Sequence, residues 1–184
     1  MKNNYSIHSI MVELHVAADQ VADEQLDQLA EAIANAGRIF VAGAGRSGLM
    51  MRAFAMRLMH LGLDVYVVGE TVTRSIAKGD LLLIGTGSGE TRSLIPMAEK
   101  ARSLEATVAT LTLSASSTIG RLAHLIVQLP GVPKNQLDEE ASIQPMGSLF
   151  EQILLLVCDT VILKIMQKQS SSGTVMYGNH ANLE

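Results

Sequence analysis

The chain has 184 residues, 48% of them hydrophobic, only 17% charged and 3% aromatic, with a formal net charge of −4 and no Trp. That length suits one domain with a substantial core and leaves little room for a second. With neither a basic stripe nor an aromatic stacking platform, nucleic acid is not an expected partner.

The mean hydropathy of +0.26 exceeds what a soluble monomer of this size needs, so some apolar surface is expected to meet other subunits. The single Cys158 excludes an internal disulfide and points to a reducing compartment. The N-terminal twenty residues have no continuous apolar core and no small-residue cleavage site. The most apolar later stretch, 153–165, is interrupted by Asp159 and Lys164 and is too short to span a bilayer. A soluble cytoplasmic protein with no membrane contact is expected.

Along the chain, Ile7, Ile10, Met11 and Leu14 recur at helical spacing. Leu26, Leu29, Ala30, Ile33 and Ala34 repeat the pattern before Gly37 acts as a stop. Two helices within residues 1–37 thus precede a first strand, 38–42. A helix over 49–61 leads to a strand at 65–68, and 81–84 reads as a third strand. A helix over 92–104 leads to a strand at 107–113, and a short helical piece at 117–123 precedes a fifth strand, 125–129. A long loop, 130–146, opens onto a final helix of about six turns, and residues 170–184 form a tail. Five short apolar strands separated by helices predict an α/β fold, a parallel sheet covered on both faces.

The segments VAGAGRSG and LIGTGSGE echo each other: a buried strand, a Gly-rich turn with a serine, then a helix. In such sheets ligands bind where strands end and helices begin, near a switch in strand order. Gly43, Gly45 and Gly48 fit G-x-G-x-x-G with Glu70 after the second strand, so a dinucleotide site must be weighed. The second loop argues against it. Gly85, Thr86, Gly87, Ser88, Gly89, Glu90 and Thr91 gather three hydroxyl side chains at one expected helix N-terminus, a donor-rich setting for a single phosphate. No G-K-[ST] follows either loop, which argues against a nucleoside-triphosphate site. The alternative for these residues is ordinary capping and turn formation.

The motifs GAGRSG, RLMHLG, VVGE, GSGET, QPMGSLFEQ and the terminal HANLE, in this order, resemble the sugar isomerase (SIS) domain family from Gly43 to the C-terminus. The resemblance implies a flavodoxin-like doubly wound sheet and a homo-oligomer, dimer or tetramer, with sites near subunit contacts. It implies a phosphorylated ketohexose substrate and interconversion of D-arabino-hex-3-ulose 6-phosphate with fructose 6-phosphate, the second step of formaldehyde fixation in the ribulose monophosphate pathway. By match of motif, Ser47, Thr86, Ser88 and Thr91 hold phosphate and Glu151 is the base. Thr86 stands where a serine is frequent, which keeps the hydroxyl. Arabinose 5-phosphate or sedoheptulose 7-phosphate isomerisation uses similar parts, and a sugar-phosphate-sensing module without turnover shares the fold.

Moving the carbonyl between C3 and C2 requires removing a proton from one carbon and returning it to the other through an enediol. A carboxylate placed over both carbons can make both transfers. Glu151 suits the role on its own position, in the first turn of a last helix expected to be covered nearly all round. Burial there opposes a charge, and the helix N-terminus favours it. Glu90 is the rival, better explained as a structural cap or a partner for Arg92. Glu139 and Glu140 lie in the long loop, which either closes over substrate or is simply solvated. Arg46 can serve phosphate or the enediolate oxygen.

His8, His15, His60, His124 and His180 show no short paired spacing, so no metal site and no cofactor is expected. His60 reads as a packed core histidine, and the ten methionines as helix packing. The tail mixes Tyr177, Asn179, His180 and Asn182, which predicts that it docks. His180 is then a candidate proton shuttle in a neighbouring subunit's site.

Overall fold

The computed structural model describes residues 6–134 and 142–183. Glu139 and Glu140 lie outside them. Alternate residues of a strand face opposite sides of its sheet, and in this chain both sides are apolar. Five strands result: β1 (Ile39–Gly43), β2 (Val65–Val67), β3 (Leu81–Gly85), β4 (Thr107–Thr112) and β5 (Leu125–Gln128). The helices among the described residues are α1 (Ile7–Ala18), α2 (Asp23–Asn35), α3 (Gly45–His60), α4 (Ile95–Ser103), α5 (Thr118–Leu122), α6 (Ser148–Gln169) and α7 (Gly173–Gly178).

Val41, Leu83 and Leu111 face one core, filled by Leu29 of α2, Phe54 of α3 and Leu154 of α6. Phe40, Leu82 and Val108 face the other side, a second, smaller core with Ala98 of α4 and Ile119 of α5. Apolar residues on both sides are what a parallel sheet requires, because helices cover both faces. Thr110 is buried within the sheet, and its hydroxyl is satisfied by donating to Ile84 O at 3.1 Å.

All strands pair in parallel in the order β2-β1-β3-β4-β5. The order reverses at β1 and β3, so a crevice opens at their carboxyl ends. Gly43 and Gly85 are partners in register, and the two glycine-rich turns therefore leave the sheet side by side, at that crevice.

The helix starts differ from the sequence reading, for local reasons. α3 begins at Gly45 rather than residue 49. A Cβ on Gly48 would stand 2.7 Å from Gly43 O, and one on Gly43 would stand 2.8 Å from Gly48 Cα. The absence of both lets α3 turn straight off β1, so Arg46 and Ser47 are helical residues. α4 begins at Ile95 rather than 92, because Thr91 O accepts the N–H groups of Leu94 and Ile95 at 2.9 and 3.3 Å and closes a turn first. Pro96 then occupies the first helical turn, where its missing N–H costs nothing. α6 runs for 22 residues, the six turns expected. It is not covered all round: Leu156 and Leu163 remain 48% and 64% exposed.

The tail forms a helix that its composition hid. Ser172 caps α7 by accepting from Val175 N–H. Asn179 Nδ2 donates to His60 O at 2.9 Å, and the His180 ring stacks on His60 at 5.4 Å. The tail thus docks on the C-terminal end of α3.

His60 is buried, and burial, with Arg57 and then His180 beside it, holds its imidazole below the ordinary value of 6.5. His124, whose Nδ1 accepts Val108 N–H at 2.9 Å, is likewise lowered, chiefly by burial. Depressed histidines leave the unfolded chain binding more protons at pH values below about 6.5. Stability is therefore full above that value and declines as the pH falls through the window beneath it. The melting temperature is expected to drop between pH 7.5 and 5.5, and His60→Gln should flatten part of that slope. An unchanged slope in the variant would show that the docked tail is not acid-sensitive.

Candidate active site

The crevice between β1 and β3 receives the N-terminus of α3, the loop after β3, the segment after β5 and the start of α6. Together they enclose a cleft of about 280 Å³, whose walls include Ser47, Thr86, Ser88, Thr91, Lys134 and Phe150. A larger cavity of about 390 Å³ lies beside it between α1 and residues 130–132, sharing Val132. Polar groups converge on the smaller one, where both glycine turns end.

The loop after β3 is held by its neighbours before any ligand arrives. Thr86 N–H donates to Leu111 O at 3.0 Å, and Gly87 O accepts Leu113 N–H at 3.1 Å, so the β3–β4 pairing continues into the turn. Thr112 Oγ1 also donates to Gly87 O at 3.2 Å. Thr86 is buried, accepts Gly89 N–H at 3.3 Å and shares a 3.3 Å hydrogen bond with the Thr91 hydroxyl. Ser88 Oγ accepts Glu90 N–H at 3.1 Å, which leaves its own proton for an outside acceptor. The helix end facing the cleft is that of α3, with Ser47 in its first turn, rather than that of α4. Its unpaired N–H groups and dipole favour an anion beside the hydroxyls.

Glu151 sits in the first turn of α6 and is only 2% exposed. A charge so buried costs several kcal/mol unless it is paired, and two cations pair it. Arg46 Nη1 donates to Glu151 Oε2 at 3.2 Å and to Ser148 Oγ at 2.9 Å. Lys134 Nζ lies 2.8 Å from Oε1, a charge contact without the alignment of a hydrogen bond. Arg46 and Glu151, far apart in sequence, thus meet behind the cleft wall, and Lys134, which lines the cleft, links the carboxylate to it.

Glu90 belongs elsewhere. Its carboxylate accepts Thr118 N–H at 2.7 Å, and this hydrogen bonding, with Arg121 nearby, holds it below the usual carboxylate range. It caps α5, and among the described residues its partners are Thr118 and Arg121 rather than the Arg92 expected from the sequence. Glu70, the acid a dinucleotide site would need for ribose, is paired with Arg52 of α3. His180 lies at the opposite end of α3 from Ser47, about 20 Å away by helix rise, and so it is remote from this chain's own cleft. Cys158 is fully buried, and burial pushes its thiol up. Among the described residues, no cluster of three or more His, Cys, Asp or Glu side chains could hold a metal ion.

Two site residues escape a reading of the sequence. Lys134 follows Pro133 in a stretch that looks like plain loop, and Ser148 resembles a helix-start serine. The signal that could have found Lys134 is elementary: a buried acid on an apolar helix needs a cation from some other segment.

The sequence model of the SIS domain family matches residues 32–157. The chain is 52% identical over 185 residues to a 3-hexulose-6-phosphate isomerase of Bacillus subtilis (strain 168), with 100% of both chains covered. A 3-hexulose-6-phosphate isomerase of Mycobacterium gastri is 41% identical over 182 residues, covering 99% of this chain and 90% of that one. The crystal structure of a hypothetical protein from Methanococcus jannaschii, for which a 3-hexulose-6-phosphate isomerase function was inferred, superposes with a TM-score of 0.84 at 32% identity. That match covers 97% of this chain and 98% of the other.

Proposed function

The chain belongs to the SIS domain family, and we infer that it interconverts D-arabino-hex-3-ulose 6-phosphate and fructose 6-phosphate. One observation carries the chemistry: a buried carboxylate, Glu151, is held between two cations, one of which, Lys134, lines a hydroxyl-rich cleft. Relatives of matching length that bear the 3-hexulose-6-phosphate isomerase name supply the choice of sugar.

In this reading the phosphate rests against Ser47, Thr86, Ser88 and Thr91 at the α3 N-terminus, with Gly87 and Gly89 shaping the loop. Arg46 stands between phosphate and base. Glu151 takes the C2 proton of the 3-ketose, and the C–H electron pair becomes the C2=C3 double bond as the carbonyl pair moves onto O3. The hydroxyl proton on O2 then passes to O3. The carbonyl re-forms at C2 as Glu151 returns its proton to C3. Atoms and charge balance without a co-reactant.

The direct test follows deuterium. In deuterated water with a panel of sugar phosphates, label should enter fructose 6-phosphate at C3 and the hexulose phosphate at C2. Exchange confined to arabinose 5-phosphate or sedoheptulose 7-phosphate would move the activity to another sugar, and no exchange at all would point to a binding module.

We further propose a homo-oligomer in which His180 serves a neighbouring subunit. Leu49 and Met56 of α3 join Leu156 and Leu163 of α6 as exposed large apolar side chains, more than a monomer needs. A docked imidazole about 20 Å along α3 from Ser47 can act as proton shuttle only across a subunit contact. Chains carrying Glu151→Gln, mixed with chains carrying His180→Ala, should therefore regain part of the activity at sites intact on both sides. No recovery despite verified subunit exchange, or a lone 19.7 kDa species in sedimentation, would remove His180 from the mechanism.

A further inference from the structure

Lys134 covers the one oxygen of Glu151 that Arg46 does not hold. Oε1 is enclosed, no hydrogen bond from the described residues is directed at it, and Lys134 Nζ stands 2.8 Å away. In this arrangement the carboxylate cannot reach a carbon until the ammonium moves. The two cations are tethered differently. Arg46 is tied to Ser148 Oγ at 2.9 Å as well as to Glu151, and Ser148 Oγ is anchored in turn to Pro145 O at 2.7 Å. Lys134 meets Glu151 through charge, its side chain is half exposed, and it lines the cleft where the sugar would lie.

The backbone leaves room for that lysine. Gly147, just before α6, has φ +76, and a Cβ there would come within 3.2 Å of Lys134 Cγ and 3.6 Å of Cε. The methylene stem of Lys134 therefore rests directly on this glycine.

We propose that Lys134 is a catalytic residue that stabilises the enediolate, leaving Glu151 for the substrate oxygens as the proton arrives on the carboxylate. The proposal rests on the isomerase reading above. Before proton transfer the negative charge is on Glu151; after it, the charge is on O3, because the C2–H pair has become the C2=C3 bond and the carbonyl pair has moved to oxygen. The ammonium follows the charge, paired first with Oε1 and then with the enediolate. The return of the proton to C3 sends charge and ammonium back together. In a cleft partly shielded from water such a partner is worth far more than in bulk solvent. Arg46, tied twice, stays behind to orient the carboxylate.

The test compares Lys134→Gln and Lys134→Arg with the wild type by three readouts: kcat, affinity for a phosphorylated hydroxamate, and affinity for hexitol 6-phosphate. The hydroxamate has two adjacent oxygens sharing a negative charge, as the enediolate does; the hexitol carries the phosphate and hydroxyls without that charge. Lys134→Gln is expected to lower kcat about 10²–10³-fold, with a similar loss of hydroxamate affinity and little change for the hexitol. Lys134→Arg should recover part of both losses. Lys134→Gln is expected to lower the melting temperature, because it leaves the buried Glu151 with Arg46 alone, and the arginine variant gives the same comparison with the charge kept. Unchanged kcat in Lys134→Gln overturns the proposal, and so does a fall in kcat with hydroxamate affinity intact, since a merely structural partner of Glu151 would behave so. A wild type that fails to turn over the hexulose phosphate would instead overturn the isomerase reading, and the proposal with it.

Discussion

Glu151→Gln is expected to lower kcat by about 10²–10⁴-fold while leaving affinity for fructose 6-phosphate nearly unaltered. The amide keeps the shape of the acid and can still accept from Arg46, which also retains its bond to Ser148. What it cannot do is take a proton from carbon. Removing the negative charge leaves Arg46 and Lys134 without their partner, but both are well exposed, so water can solvate them and the fold should survive. The same two cations then act on bound phosphate unopposed, and binding should hold or tighten. Turnover at the wild-type level would take the base away from Glu151. Glu90 could not readily replace it, because its carboxylate is committed to the α5 N-terminus. A matching collapse of phosphate binding would make Glu151 a structural residue instead.

The layering of the fold was legible because a parallel sheet with both faces buried writes continuous apolar runs, and helices write a different period between them. Ile39–Gly43 and Leu81–Gly85 are such runs, each ending in glycine. The start of α3 was not legible in the same way. G-A-G-R-S-G reads as a loop by composition, and only the close approach of Gly43 to Gly48 makes it a helix start. α7 was hidden for a related reason: Ser170, Ser171, Ser172 and Gly173 look like a flexible linker, yet Ser172 is a helix cap. Small polar residues signal caps and loops alike, and tertiary contacts decide between them.

The site divides along the same line. Hydroxyls and glycines after β3 could be read as an anion cradle from their local order, since a phosphate loop is a property of consecutive residues. Glu151 could be found because an acid on an apolar helix is conspicuous. Its partners could not. Arg46 converges on it from α3, 105 residues away, and Lys134 from the irregular segment between β5 and α6, and no local pattern encodes that meeting. Glu90 is a structural cap, one of the two roles its sequence position suggests, but the helix it caps is α5, through a contact with Thr118 that is equally invisible in the order of residues.

Gly89→Ala should weaken binding of phosphorylated sugars by about 10²-fold. Gly89 has φ +66, a conformation that costs an alanine about 1–2 kcal/mol. A Cβ there would also run into the side chain of Ser117. Ser117 cannot yield cheaply: it is buried, its hydroxyl donates to Ser114 O at 2.7 Å, and it caps α5 by accepting Gly120 N–H at 3.1 Å. Loss of such a cap costs about 0.5–2 kcal/mol. Together these terms favour another loop conformation, in which Gly89 N–H no longer donates to Thr86 Oγ1 and the Thr86 and Ser88 hydroxyls lose their placement. A second substitution separates strain from collision. Ser117→Gly removes the side chain that the new Cβ meets, so the double variant should bind more tightly than Gly89→Ala alone, although Ser117→Gly by itself weakens α5. That sign of coupling is the signature of a direct clash. The measurement is calorimetric affinity for fructose 6-phosphate alongside melting temperature. Affinity retained in Gly89→Ala, with the fold intact, would mean that the loop after β3 does not hold the phosphate.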